Sequence, residues 1–205
     1  MKQILITSAI AALLTFASAC SSAPETATTN RAANANTTTA NTAPTNAANT
    51  TKADDTPAAV KAVFPDAQSF TTQHKDIPAD KIASIEKDTS SKVPDKDHHS
   101  YLAFSTTGGG RKQIGAATIV KVDGKDVIIV YENKDGSPVI KEIRADGVPA
   151  PFLAQFAGKG HDNDLLLGAD IKASGGGEAQ AKAITEAVRV DVLTMQALYG
   201  ASHKH

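Results

Sequence analysis

Apolar residues recur at helical spacing near the end of the chain. They fall three or four positions apart, so they share one face of a helix. The pattern predicts a long helix over 179–199, ended by Gly200. Its apolar stripe consists of Ile184, Val188, Val192, Met195 and Tyr199. We interpret Met195 as a core residue, because a single Met in an apolar stripe usually fills space in a core.

Three segments rich in β-branched residues precede that helix. They span 114–122, 127–131 and 139–143, and short connections containing Asp-Gly separate them. Glycine supplies the positive φ that tight hairpins need, so these segments predict consecutive antiparallel strands. A shorter apolar segment, 101–105, comes before them. The patterns together predict an α+β fold, in which an antiparallel sheet of about four strands packs against helices that include the long C-terminal one.

Two shorter helices are predicted ahead of the sheet. Residues 57–64 suit a short helix closed by Pro65, and residues 79–87 suit a second one that Pro78 introduces. Between them Phe70 stands nearly alone among polar residues. That interval carries no predicted element.

The N-terminus has the pattern of an export signal. Lys2, an apolar stretch over 4–16 and small residues at 17–19 precede Cys20, which predicts a signal peptide over 1–19. The stretch is shorter than the roughly 20 residues that a membrane-spanning helix needs. The arrangement resembles the lipobox of bacterial lipoproteins, which implies that Cys20 becomes the lipidated first residue of the mature chain. Ordinary secretory cleavage near a cysteine is the alternative.

A tract over 20–55 follows the signal. It is built mainly from Thr, Asn, Ala and Ser and contains no aromatic or large aliphatic residue. Such a sequence cannot bury enough apolar area to offset its ordering entropy, so we predict a disordered tether behind the lipid anchor. The folded domain is then expected over 56–200, with a frayed tail over 201–205.

The charge and the cysteine content limit the classes of partner and the covalent bonds that we expect for this protein. The formal net charge is −1 and no cluster of Lys or Arg is present, which argues against nucleic acid. Cys20 is the single cysteine, so no disulfide is expected. We expect an exported protein held at a membrane of the cell envelope by its lipid. Ser21 is not the acid that retains many lipoproteins at an inner membrane, so we expect a periplasm-facing outer-membrane anchor where two membranes exist.

A glycine run, Ser174-Gly175-Gly176-Gly177-Glu178, opens the predicted C-terminal helix. Glycine lets the backbone come close to a ligand, and the first turn of a helix presents unpaired N–H groups and the positive end of its dipole. The pattern is typical of a site for an anion such as a phosphate. A flexible hinge ahead of the helix is the alternative.

Several segments resemble one known family. They are 63–67 (Val-Phe-Pro-Asp-Ala), Ile114-Gly115 with the hairpin over 120–136, 152–159 (Phe-Leu-Ala-Gln-Phe-Ala-Gly-Lys), and 173–176 (Ala-Ser-Gly-Gly) with the helix over 183–188. The chain is similar over most of 60–199 to the flavin mononucleotide (FMN)-binding domain of the flavin-carrying subunits of sodium-translocating NADH:quinone oxidoreductase and the related Rnf complex. The resemblance implies FMN as cofactor and a role as an electron carrier or redox partner.

The chain departs from the family at the residue that carries the flavin. The family esterifies the flavin phosphate to the Thr of a Ser-Gly-Ala-Thr segment, and the equivalent position here is Gly177 or Glu178. Neither side chain has a hydroxyl, so the resemblance implies non-covalent FMN without covalent attachment. The candidate cofactor-binding residues are Ser174, Gly175, Gly176, Gly177, Glu178, Lys182, Gln155 and Lys159.

The remaining residues of segment 152–159, and a turn that departs from the family, are interpreted separately. Phe152, Leu153 and Phe156 suit packing, which leaves only the polar pair of segment 152–159 as possible ligand neighbours. Gly147 and Pro149 lie in a turn that corresponds to the family's acidic residue, proline and glycine against the flavin ring. They are further candidates, although the family's contacts do not transfer residue by residue.

Glu178 opposes a phosphate at this place. At about 5 Å and an effective dielectric of about 20, the repulsion is roughly 3 kcal/mol per unit charge, against about 0.3–1 kcal/mol gained at an exposed helix dipole. Lys182 lies at the favourable Glu-to-Lys spacing and could draw the carboxylate aside. Alternatively, Glu178 is only a first-turn acid that stabilises its helix.

The missing Thr and the charge of Glu178 lead to a second hypothesis about function. In it, the domain keeps the flavin-domain fold without a cofactor and acts as a binding or structural module at the envelope.

Other polar clusters give no further site. His98-His99 with Asp95 and Asp97, and the segment 161–164, fall in loop-like polar stretches without a defined ligand spacing, so no metal site is predicted. His203 and His205 belong to the predicted tail. No strained serine turn and no acid–base pair stands out, so no catalytic residue is predicted.

Overall fold

A computed structural model describes residues 55–175 and 177–201. The predicted signal peptide over 1–19, Cys20, the tether as far as residue 54, Gly176 and the tail residues 202–205 lie outside the described residues. Among the described helices, none has both the length and the apolar character needed to cross a membrane.

The fold is α+β, as the sequence predicts, and its sheet has five antiparallel strands in the order β1-β2-β3-β4-β5. The elements in chain order are α1 Ala58–Val63, β1 Ser69–Asp76, α2 Ala79–Thr89, β2 Asp97–Ser105, β3 Lys112–Val122, β4 Lys125–Lys134, β5 Ser137–Ala145, α3 Ala150–Leu153, a 3₁₀ turn Ala154–Phe156, and α4 Glu178–Tyr199. Each strand therefore pairs with the next one along the chain.

Two tight hairpins connect β3 to β4 and β4 to β5. Asp123 and Gly124 have φ of 50° and 75°, and Asp135 and Gly136 have φ of 53° and 86°. Positive φ at both central residues is the geometry of type I′ turns, whose twist matches that of the flanking strands. The prediction of hairpins from the Asp-Gly pairs is confirmed.

The first strand, β1, is not predicted from the sequence, and neither are the short helix α3 and the 3₁₀ turn after it. It pairs with β2 from Ser69 opposite Phe104 to Asp76 opposite Asp97. As an edge strand it has one unpaired side. Its residues are partly buried or exposed, without a buried residue at every second position. The alternation of apolar and polar residues that would predict a strand is therefore missing. The sheet therefore has one strand more than the expected four.

Strand β2 also begins earlier than predicted. It starts at Asp97, so His98 and His99 lie on a strand and not in a loop. The expectation for this segment was wrong because its polar residues gain their strand conformation by pairing with β1, which is a long-range contact that local pattern does not report.

One face of the sheet packs against α4. Ile184, Val188, Val192 and Met195 are all buried there, which confirms the predicted stripe and the core role of Met195. The same core contains the aromatic and aliphatic members of α3 and the 3₁₀ turn, so the interpretation of these residues as packing is also confirmed. They are Phe152, Leu153 and Phe156.

The opposite face carries the short helix α1. Val60, Val63 and Phe64 form a second core there with residues of β2, β3 and β4. The ring of Phe64 lies against the backbone of Gly115, where a Cβ would stand 2.6 Å from Phe64 Cε1. Gly115 is therefore required for close packing, which explains this part of segments 63–67 and 114–115 without a ligand.

Candidate functional site

The first turn of α4 is open at its N-terminal end. Gly177 is the N-cap residue, and no described side chain caps the helix. The first intrahelical bond runs from the amide of Ala181 to the carbonyl of Gly177 at 3.0 Å, so the amides of residues 178–180 are the donors that a helix leaves without intrahelical partners. A Cβ at Gly177 would meet nothing within 4 Å, so the N-cap position itself has room for a side chain.

Gln155 holds the segment that leads into this turn. Its Oε1 accepts a hydrogen bond from the amide of Lys172 at 2.8 Å, and its Nε2 donates to the carbonyl of Lys172 at 2.9 Å. The same Nε2 lies 3.2 Å from Oγ of Ser174, which in turn donates to the carbonyl of Lys172 at 3.2 Å. The side-chain amide of Gln155 thus positions Ser174.

A turn after β5 reaches the same place. Gly147 has φ of 74°, and the amide of Val148 donates to the carbonyl of Ala145 at 3.4 Å. A Cβ at Gly175 would lie 3.5 Å from the ring carbons of Pro149. Pro149 and Gln155 therefore both lie against the backbone that leads into α4, at Gly175 and Ser174. Gln155 and Ser174 belong to resembling segments, whereas Pro149 lies in the turn whose sequence departs from the family.

The cavity at this meeting point is small. It lies between Val148 and Phe152 on one side and Ser174 and Ile184 on the other, and it has no room for even one water molecule. Sites for small molecules typically have roughly 300–1,000 Å³. Open amides at a helix N-terminus suit an anion such as a phosphate, whereas this cavity is too small for a flavin ring.

The charged candidates on α4 do not pair as the sequence suggested. Glu178 is exposed in the first turn. Lys182 forms its ion pair with Glu186, at 3.8 Å, and both side chains are well exposed. Lys182 therefore pairs with the acid one turn later and not with Glu178, although the Glu-to-Lys order that the sequence offers is the more favourable one.

Lys159 is held through its backbone. Its carbonyl accepts a hydrogen bond from the amide of Ile140 at 2.8 Å, and its amide donates to the carbonyl of Phe156 at 3.1 Å. These bonds tie the loop after the 3₁₀ turn to β5. Within the described part of the chain, no hydrogen bond or ion pair joins the ammonium of Lys159 to the segment 174–178.

A larger cavity lies at the other end of α4. It is a groove of about 1,100 Å³ beside Met195 and Tyr199, with Lys75, Lys112 and Ile114 among its walls. Since α4 has 22 residues, its two ends are about 33 Å apart at 1.5 Å per residue. Local sequence patterns do not indicate this groove, because its walls come from elements that are distant along the chain.

A polar cluster is buried beneath the middle of α4. Oδ2 of Asp191 accepts hydrogen bonds from the hydroxyls of Thr118 at 2.6 Å and Tyr131 at 2.7 Å, and Oδ1 lies 3.1 Å from Nε2 of His98. Burial, followed by the charge of Asp191, raises the pKa of Tyr131 well above its usual value. The cluster joins α4 to three strands of the sheet, β2, β3 and β4, so we assign it a structural role.

A second cluster lies at the exposed edge of the sheet. Oδ2 of Asp97 is 3.2 Å from Nδ1 of His74 and 2.9 Å from Nε2 of His99. The hydrogen bond from His74 lowers the pKa of Asp97, and the one from His99 adds to the effect. Sequence reasoning missed this cluster because it placed His99 in a loop and did not consider His74. The alternation Asp97-His98-His99 on a strand is the signal that could have pointed to it.

Comparison of the chain with models of known families, with curated proteins and with solved structures found no match. The similarity to the FMN-binding domain family therefore depends on the segments quoted above.

Proposed function

We propose that the domain binds FMN non-covalently, with the FMN phosphate at the first turn of α4, and serves as an electron carrier or redox partner at the cell envelope. The observation that carries this proposal is the contact between two resembling segments, 152–159 and 173–176, beside one helix N-terminus, where the turn that contains Pro149 joins them. Gln155 fixes Ser174, and Pro149 lies against Gly175. Residues that are up to 26 positions apart along the chain thus support one short stretch of backbone.

The phosphate would be held mainly by backbone groups. The amides of residues 178–180 are available at the helix end, and the positive end of the helix dipole favours an anion there. Gly175 has φ of 71°, which a residue with a side chain rarely adopts. FMN, when bound, supplies the electron-transfer chemistry, and the protein supplies position and electrostatics.

Glu178 sets the strength of this interaction. Its carboxylate begins the same turn whose amides would hold the phosphate, and the ion pair of Lys182 is with Glu186. The repulsion is therefore not offset by Lys182, although the exposure of Glu178 reduces it. Removal of this charge should strengthen FMN binding, and that expectation makes the proposal testable.

The envelope location rests on the N-terminal sequence. Lipid on Cys20 would anchor the chain, and the tract over 20–55 would hold the domain away from the membrane. Mass spectrometry of the mature N-terminus tests this part. A diacylglyceryl group on Cys20 supports it, and an unmodified N-terminus at Cys20 or beyond contradicts it.

A cofactor-free module is the second candidate. The cavity beside Ser174 has no room for a water molecule and is far below the usual range for small-molecule sites, and Glu178 places a like charge near the proposed phosphate position. Under this proposal the fold has been kept after loss of its flavin, and the domain acts through its surface as a binding or structural module.

Flavin retention separates the two proposals. The full chain in mild detergent is incubated with excess FMN or riboflavin, desalted, and examined for flavin absorbance. We expect FMN to be retained in preference to riboflavin, which lacks the phosphate, and Glu178→Gln to increase the retained fraction. Glu132→Gln removes the same charge beside the groove at the far end of α4 and should leave retention unchanged.

The remaining outcomes also have definite meanings. If neither the parent chain nor Glu178→Gln retains FMN, the cofactor-free proposal stands. If Glu178→Thr alone becomes flavin-bound, the fold has kept a site that lost its flavin. If Glu132→Gln changes FMN retention and Glu178→Gln does not, the flavin binds in the groove and the proposed phosphate site is wrong.

A further inference from the structure

Three chemistry-bearing side chains share one face of the sheet where β1 ends and β2 begins. His74 lies directly opposite His99, and Asp97 is two residues before His99 on the same strand. Residues two apart on a strand point to the same face, as do residues directly opposite on neighbouring strands. His98 points to the other face, where it meets Asp191. The adjacent histidines thus have different surroundings.

The ligand atoms of the three side chains are close together. Asp97 Oδ2 lies 2.9 Å from His99 Nε2 and 3.2 Å from His74 Nδ1, and the two imidazole centroids are 4.1 Å apart. All three ligand atoms lie within 4.8 Å of one another. Zinc holds nitrogen and oxygen ligands at about 2.0–2.2 Å, which places tetrahedral ligand atoms roughly 3.3–3.5 Å apart. Small side-chain movements would therefore suffice to place a metal ion among them.

We propose that His74, Asp97 and His99 form a binding site for a divalent transition-metal ion. Two imidazoles and one carboxylate are borderline ligands that suit Zn²⁺, and Cu²⁺ and Ni²⁺ are bound by the same donors. The side chains of His74, His99 and Asp97 are 56%, 48% and 39% exposed. The ion is thus reached directly from solvent, and water completes its coordination.

The local charge supports a cation at this place. Asp76 lies directly opposite Asp97 on the neighbouring strand, and like charges in such a pair destabilise the strand pairing. Asp95 lies nearby as well, because its Oδ1 accepts a hydrogen bond from the amide of Asp97 at 3.0 Å. A divalent cation bound to Asp97 would offset the repulsion between these carboxylates.

Titration with Zn²⁺, followed by calorimetry, tests the proposal. The full chain is purified in detergent without a histidine tag, and every sample carries Cys20→Ser, His203→Ala and His205→Ala, which remove competing donors near the ends of the chain. We expect one Zn²⁺ per chain. His74→Ala and His99→Ala should each weaken binding more than about tenfold, since even outer partners of metal ligands change affinity by roughly 10- to 100-fold.

His161→Ala is the matched control. Nε2 of His161 lies 3.1 Å from Asp162, so this pair has a histidine and a carboxylate, and among residues 55–175 and 177–201 it does not belong to a group of three ligand side chains. Zn²⁺ affinity should be unchanged in this variant. Zn²⁺ should also raise the unfolding temperature of the parent but not that of His74→Ala. With a chelator present, the parent and His74→Ala should unfold at the same temperature. Unchanged affinity in the double variant His74→Ala/His99→Ala would overturn the proposal, as would loss of binding in His161→Ala.

Discussion

The hydroxyl of Tyr131 donates a hydrogen bond of 2.7 Å to Oδ2 of Asp191, across the interface between the sheet and α4. Both residues are buried, with 2% and 5% of their surface exposed. The same oxygen accepts from Thr118, and the other carboxylate oxygen faces His98. A buried carboxylate is costly unless hydrogen bonds compensate it, so this cluster fixes where α4 sits on the sheet.

Asp191→Ala should strongly destabilise the fold. It leaves the hydroxyls of Tyr131 and Thr118 without their acceptor and removes the partner of His98. Loss of one member of a buried polar cluster costs about 3–5 kcal/mol. We expect that decrease in the free energy of unfolding, measured by urea denaturation. Asp162→Ala, at a side chain that is 75% exposed, should change it by less than about 0.5 kcal/mol. A loss below about 1 kcal/mol for Asp191→Ala would contradict the structural role.

Stability should fall in alkaline solution, and Tyr131 should account for much of the fall. Burial, followed by the charge of Asp191, raises the pKa of Tyr131 well above the usual value of about 10. The native state therefore keeps the proton more tightly than the unfolded state does. This contribution is complete below pH of about 10 and is lost as the pH rises from there through the native pKa.

Tyr131→Phe gives the corresponding measurement. Its free energy of unfolding should depend less steeply on pH above about 10 than that of the parent, although it starts lower because the hydrogen bond to Asp191 is gone. Tyr101→Phe is the control variant. Burial is the first cause of the raised pKa of Tyr101 as well, but Tyr101 is only partly buried. Equal slopes for the parent and Tyr131→Phe would exclude the proposed linkage.

The sequence predicts the local features of this fold and misses those that depend on register. The stripe of α4 and the Asp-Gly hairpins are set by neighbours along the chain, and both are confirmed. Asp191 lies beside Val192 in the helix, but its partners on β3 and β4 are 60 to 73 residues away. No periodicity reports such a pairing. Strand β1 was missed for the same reason, because its conformation depends on pairing with β2.

The candidate site shows the same division. The glycines before α4 could be recognised from the sequence because glycine and helix signals are local. The role of Gln155 could not be recognised in this way, because its main partners are backbone atoms of Lys172, 17 residues further along the chain. The facing imidazoles of His74 and His99 also required the strand register. Identities of residues are visible in a sequence, whereas the atoms that they contact are not.

Gly115→Ala should disturb the packing of α1 on the sheet. The new Cβ would stand 2.6 Å from Cε1 of Phe64 and 3.2 Å from the carbonyl oxygen of Tyr131. Overpacking of this kind costs about 1–3 kcal/mol, which thermal unfolding would report as a lower midpoint. Phe64→Leu in the Gly115→Ala background makes room for the methyl group and should be less harmful there than in the parent. Additive losses in the double variant would mean that Phe64 is not the obstacle.

Gln155→Ala should loosen the backbone in front of α4 without unfolding the domain. The side chain makes two hydrogen bonds with the peptide groups of Lys172, at 2.8 and 2.9 Å, and a third contact with Ser174. Each such bond contributes about 0.5–1.5 kcal/mol, so the amide of Lys172 should exchange its hydrogen roughly 2- to 10-fold faster. Amides in the middle of α4 should exchange at their original rate.

Gln113→Ala is the control for that measurement, because Gln113 is exposed on β3 beside the distant groove. It should leave the exchange of Lys172 unchanged. The same pair of variants examines the proposed function, since a loosened Ser174 would hold its neighbouring glycines less well for a phosphate. If FMN binds at α4, Gln155→Ala should weaken its retention and Gln113→Ala should not. Faster exchange with unchanged FMN retention would show that Gln155 orders this backbone for packing alone, and that the phosphate site lies elsewhere.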